Sequence, residues 1–136
     1  MSQSGSCLCG SVTYEVDGNL RPVVGCHCIQ CRKTTGHFMA ATGAKLAHFK
    51  ISNDQGLKWY RSSDTARRAF CGTCGSTLFW QADGKDYIAI AAGTLDGDTG
   101  LHTEGHIFCE NAGDYYVISD GKFQMEGGGH TVPTPE

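Results

Sequence analysis

Seven of the eight cysteines in this chain fall in three short clusters, Cys7-Leu8-Cys9-Gly10, Cys26-His27-Cys28-Ile29-Gln30-Cys31 and Cys71-Gly72-Thr73-Cys74-Gly75. Closely spaced cysteines can turn their sulfurs onto one ion, and zinc takes such thiolates at about 2.3 Å in a tetrahedral shell. The count then separates two kinds of site. Four protein ligands close a structural site, whereas three leave a position for water or substrate. The favoured pairing puts Cys7, Cys9, Cys71 and Cys74 on one zinc and Cys26, Cys28 and Cys31 on a second, open one. Gly10 and Gly75 each follow the last cysteine of a pair, where a residue free to take positive φ lets the chain turn back and aim amides at the sulfurs.

An even number of cysteines also suits a disulfide framework. The opening Met1-Ser2-Gln3-Ser4-Gly5-Ser6 lacks the apolar stretch of a secretory signal, so a cytoplasmic location with reduced thiols is expected, and metal is the preferred reading. With 11 basic and 14 acidic residues the net charge is −3. That balance offers no general attraction for phosphate backbones, so nucleic acid is not an expected partner. No apolar run approaches the ~20 residues of a membrane span, so a membrane is not expected either.

Such sites need a frame, and the 136 residues are expected to supply one domain, residues 1–126, followed by a flexible tail, 127–136, that opens with a glycine run. Nineteen glycines, three prolines and recurrent β-branched and aromatic residues point to a mainly β fold of short strands joined by turns. Val12, Tyr14 and Val16 alternate with Thr13 and Glu15, the period of a half-buried strand. Further strands are expected near residues 38–42, 57–60, 69–70, 77–80, 87–91, 106–108 and 115–118. Residues 29–35 form the one expected helical turn. It begins inside the triplet, which brings its amides close to the second metal. The four-cysteine site joins the N-terminal region to the middle of the chain, so zinc binding contributes to folding.

The ordered motifs resemble a known family. Gly5-Ser6-Cys7-Leu8-Cys9-Gly10-Ser11-Val12, then Cys26-His27-Cys28-Ile29-Gln30-Cys31-Arg32-Lys33-Thr34-Thr35-Gly36, then Phe70-Cys71-Gly72-Thr73-Cys74-Gly75-Ser76, and finally Ala92-Gly93-Thr94-Leu95-Asp96 are similar to the glutathione-dependent formaldehyde-activating enzymes over nearly the whole chain. The resemblance implies an Mss4-like fold of several short, coiled antiparallel sheets and a zinc carbon–sulfur lyase activity. It implies a structural zinc on Cys7, Cys9, Cys71 and Cys74, and a catalytic zinc on Cys26, Cys28 and Cys31. His106-Ile107-Phe108 matches a His-Ile-Phe segment of the family. Beyond it the match weakens, with Ala112 and Tyr115 where the family carries a lysine and then a tryptophan.

An open site with three thiolate ligands suits a thiol substrate, because a coordinated thiol is deprotonated outright and zinc is redox-silent. Addition of that thiolate to formaldehyde gives an S-hydroxymethyl adduct, and the reverse step is carbon–sulfur lysis. The expected function is therefore a zinc-dependent lyase using glutathione or a similar small thiol and an aldehyde. The alternatives are a non-catalytic thiol-binding zinc protein, or a zinc-ribbon-like interaction module if a fourth side chain closes the triplet. His27 lies between two proposed ligands but points away from them if the segment is extended, and His106 reads as a hydrogen-bonded core residue rather than a fourth ligand. Arg32 is balanced between a ligand contact and solvated charge, while Lys33, Arg67 and Arg68 read as solvated. Asp96 reads as a turn residue, Cys109 as a buried inert thiol, and Phe79 and Trp80 as core aromatics.

Overall fold

The alternation of Val12, Tyr14 and Val16 is realised in a computed structural model that describes residues 2–128, where all three side chains are fully buried. They lie on the second of eleven strands: β1 (Gln3–Ser6), β2 (Val12–Val16), β3 (Val23–Cys26), β4 (Met39–Lys45), β5 (Phe49–Asp54), β6 (Leu57–Arg61), β7 (Ala66–Cys71), β8 (Thr77–Ala82), β9 (Tyr87–Ala91), β10 (Thr103–Ile107) and β11 (Phe123–Gln124). Among the described residues a single α-helix, α1 (Ile29–Thr35), falls where the triplet predicts it.

β2 sits between β1 and β5 in a three-stranded antiparallel sheet. The other strands form a second sheet in the order β11-β10-β3-β4-β9-β8-β7-β6. The apolar face of β2 packs onto the middle of the large sheet, against Ala44, Phe79, Ile88 and Ile90. Tyr14 and Phe49 both meet Phe79 edge-on, with ring centroids 5.2 and 5.1 Å away. Full burial of side chains of this size stabilises by roughly 1.5–3 kcal/mol each, so this cluster anchors the domain. Because neighbours along a strand face opposite sides, Ala41 and Ala89 look the other way, into a second cluster with Cys31 and Met39. Small side chains on that face leave room above the sheet.

The mainly β architecture matches the expectation, with two departures. β10 runs parallel to both β3 and β11. The chain reaches β10 from β9 by the stretch 92–102 rather than by a hairpin, and a hydrophobic period carries no information on strand direction. Residues 115–118 form no strand; Tyr115 and Val117 are exposed. β5 was not among the expected strands, although Phe49 and Ile51 alternate with polar residues, whereas the polar β1 and the two-residue β11 carry little strand signal. Of the expected tail, residues 129–136 lie outside the described residues, and the Gly127 carbonyl accepts a hydrogen bond from the Phe108 amide (3.1 Å). Among the described residues, no helix is long and apolar enough to cross a membrane.

Candidate metal centres

The structure brings Cys7, Cys9, Cys71 and Cys74 together. Cys7 and Cys9 occupy the turn between β1 and β2, Cys71 ends β7, and Cys74 lies in the turn between β7 and β8. Gly10 and Gly75 close these turns with φ of 82° and 81°, the left-handed conformation the sequence required. The sulfurs of Cys7 and Cys9 are 3.7 Å apart and those of Cys9 and Cys71 3.8 Å. A tetrahedron with 2.3 Å metal–sulfur bonds has edges of about 3.8 Å, so the donor set fits zinc. The Val12 amide donates to Cys7 Sγ (3.3 Å) and the Cys74 amide to Cys71 Sγ (3.4 Å). Hydroxyls of Ser11 and Ser76 add hydrogen bonds that push the Cys71 thiol down to about 7 and the Cys74 thiol down to about 5. These groups favour thiolate, the form a metal binds.

Cys26, Cys28 and Cys31 form the second group, and among the described residues no histidine, carboxylate or further cysteine joins them. Cys26 ends β3. Cys28 caps α1, its sulfur accepting from the Cys31 amide at 3.3 Å, and Cys31 lies within the helix. Gly36 then ends the helix at φ 85°, with its amide bonded to the Arg32 carbonyl. The Cys31 thiol is pushed down to about 6, first by a hydrogen bond from Cys26 and then by Arg68, while the same bond and burial push Cys26 up.

All three triplet cysteines line a cavity of about 950 Å³ on the face of the large sheet away from the core, and none of the four grouped cysteines does. Ala41, Ala89 and Met39 floor it and Trp80 forms part of its wall. Trp80 is thus half-buried beside the cavity rather than in the core, where Phe79 alone lies. The cavity is also lined by Arg21, Lys45, Arg68 and Lys85 against a single carboxylate, Asp86, so it is locally basic in a chain of net charge −3. Arg68 corrects the solvated reading. It is only 7% exposed, and its guanidinium lies 3.4 Å from Cys31 Sγ. A run of two arginines gives no sign of which one turns inward.

The back of the triplet is held by a hydrogen-bonded chain. Asp120 accepts from His106 Nε2 (2.7 Å), His106 Nδ1 pairs with His27 Nε2 (2.9 Å), and His27 Nδ1 pairs with the Tyr116 hydroxyl (2.5 Å). A carboxylate can only accept, so with both imidazoles neutral the donors run one way: Tyr116 donates to His27, His27 to His106, and His106 to Asp120. His27 is completely buried and stacked on Phe38, and burial, aided by His106, pushes it down to about 4, in keeping with a neutral ring. Both histidines are therefore packing residues. Gly25 leaves the space, since a Cβ there would collide with His106 and crowd Phe38. Sequence reasoning missed Tyr116 and Asp120, which lie 89 residues from His27 and 14 from His106.

The remaining residues stay apart from this chemistry. Arg32 donates to the Asn111 carbonyl (2.9 Å) and Arg67 stacks on Trp59 at 3.7 Å. The Asp96 carboxylate accepts from Ser4, and the Cys109 thiol, half-buried, is pushed up by burial.

Comparison with known proteins bears on the family and the fold. Residues 2–111 match the model of a family described as "Glutathione-dependent formaldehyde-activating enzyme". A curated relative from Schizosaccharomyces pombe, named an uncharacterized lyase, is 27% identical over 118 residues, 85% of each chain. A crystal structure of a Rhodobacter sphaeroides protein superposes with a TM-score of 0.59 at 26% identity, covering 74% of this chain and 97% of that one.

Proposed function

The chain belongs to the glutathione-dependent formaldehyde-activating enzyme family, and from that premise we propose that it is a zinc-dependent carbon–sulfur lyase that forms or cleaves the S-hydroxymethyl adduct of glutathione, or a similar small thiol, with formaldehyde. The observation that carries this reading is the opening of the three-cysteine group, and of that group alone, into the basic cavity. Cys7, Cys9, Cys71 and Cys74 would hold a structural zinc, and Cys26, Cys28 and Cys31 a catalytic one. When bound at the triplet, zinc supplies a Lewis-acidic position that keeps a small thiol ionised at neutral pH.

The protein's own residues do the rest. Met39, Ala41, Ala89 and Trp80 give the reacting sulfur a largely apolar surround, which strengthens electrostatic interactions there. Lys45 and Lys85 line the same cavity and suit the carboxylates of a peptide thiol such as glutathione. In the forming direction the thiol gives up its proton, the thiolate sulfur bonds to the formaldehyde carbon, and the carbonyl oxygen takes a proton to become the hydroxyl. Cleavage reverses each step. Exchange NMR between formaldehyde and its glutathione adduct tests the reading. Zinc-loaded protein should accelerate exchange above the spontaneous rate, and folded Cys28→Ser protein should not; no acceleration by the native chain would leave only a thiol-binding protein.

A further inference from the structure

We propose that Arg68 sets the charge of the triplet site so that it takes an anionic fourth ligand, a thiolate, in preference to a neutral one. This rests on the reading of the triplet as a thiol site and adds the residue that makes it selective. Arg68 lies on β7, paired with Trp80 of β8, so both stand beside the cavity. Its guanidinium touches Cys31 Sγ (3.4 Å), Gln30 Oε1 (3.4 Å) and Met39 Sδ (3.8 Å), and its Nε is buried without a partner. Among the described residues no carboxylate pairs with it.

A guanidinium is always charged, and burying one without an anion is strongly unfavourable. The anion within reach is the triplet itself. Three thiolates around a divalent ion carry one net negative charge; a neutral fourth ligand leaves that unchanged, while a thiolate, its proton released to solvent, raises it to two. A fixed cation beside Cys31 therefore favours the thiolate complex more than the neutral one. The four-cysteine group provides the contrast. Four thiolates give the same double charge, yet its sulfurs are met by hydroxyls and amides and Cys9 is exposed to water, so no buried cation is needed. Arg68 acts through Cys31 and is a positioning residue rather than a catalytic one.

The test uses the full chain loaded with cobalt(II), whose absorption reports ligands at the triplet without any turnover. Native protein, Arg68→Met and Arg68→Lys are titrated with 2-mercaptoethanol, which has no carboxylate to engage the lysines, and with neutral imidazole. Arg68→Met should weaken thiol binding about tenfold or more, equivalent to about 1.4 kcal/mol, and leave imidazole binding within about twofold, while Arg68→Lys recovers most of the loss. Should Arg68→Met fail to retain cobalt at both sites, Arg68→Gln, which keeps hydrogen-bonding capacity without charge, carries the same expectation. Equal losses for both ligands, or none, in a variant that folds would overturn the proposal and leave the lyase reading intact. Native protein that binds no thiol would overturn the thiol-site reading, and the proposal with it.

Discussion

The two cysteine groups use the same donor atom to opposite ends. In the four-cysteine group the ligands come from two hairpins, with Cys9 and Cys71 separated by 62 positions, so a bound ion ties the three-stranded sheet to the far half of the large one. In the triplet all three ligands lie within residues 26–31, at the junction of β3 and α1. An ion there closes no long loop and adds little to the connectivity of the chain. The first group is surrounded by hairpin hydroxyls and amides; the second faces a cavity. In the proposed reading, long-range closure marks the centre that would hold the fold, and local closure beside empty volume the one that would do chemistry.

Removing one ligand from each group should break this comparison most sharply if it is wrong. Cys71→Ser opens the clamp at a fully buried position. Structural zinc contributes up to about 10–16 kcal/mol in small domains, as much as a whole domain's net stability of about 5–15 kcal/mol, so this variant should lose its cooperative thermal transition. Cys28→Ser should instead melt within about 4 °C of the native chain, a change of no more than about 1 kcal/mol, while its rate of adduct exchange falls to background. Comparable destabilisation by both substitutions in scanning calorimetry would show that the triplet, too, is structural.

A smaller effect should follow from filling the cavity rather than removing a ligand. Ala89→Leu adds a branched side chain to the floor beside Met39 and Cys31. It should raise KM for the thiol about tenfold, in line with the 1–3 kcal/mol that one or two misplaced methylenes cost in a pocket. The melting temperature and the metal content of the four-cysteine group should not change. If KM is unaffected, the thiol does not lie over Ala89.

What the sequence made legible divides along the same line. Cysteine grouping was readable because cysteines two or three positions apart, with glycine after each of the two pairs, restrict the local backbone whatever the tertiary structure. The helix at 29–35 was readable for the same reason, with Cys28 as its cap and Gly36 as its stop. Arg68 was not. Whether it or Arg67 turns into the cavity depends on the pairing of β7 with β8, which slips between Ala69 and Phe70, and no local pattern marks that shift. Tyr115, Tyr116, Val117 and Ile118 have strand-forming side chains, but their place was decided by Tyr116 reaching His27, a buried histidine just past the end of β3. Trp80 read as core because periodicity distinguishes buried from exposed, not core from cavity wall.

The weakest expected effect concerns the support behind the triplet. Asp120→Asn keeps an acceptor for His106 Nε2 and removes only the charge, so the hydrogen-bonded chain to His27 persists in altered strength. The His106 hydrogen bond holds the Asp120 carboxyl below the usual carboxylate range. A carboxyl whose folded value is depressed contributes stability that is present above the unfolded value of about 3.9 and is lost as pH falls through the folded one. The native chain should therefore melt slightly above Asp120→Asn at neutral pH, and the gap should close on acidification. Because the chain of bonds passes through His27, between Cys26 and Cys28, thiol affinity at the triplet should weaken in parallel, while a probe of the four-cysteine group should register nothing. A variant that loosened both groups equally would mean the two centres are mechanically coupled through β7, the strand that carries both Arg68 and Cys71.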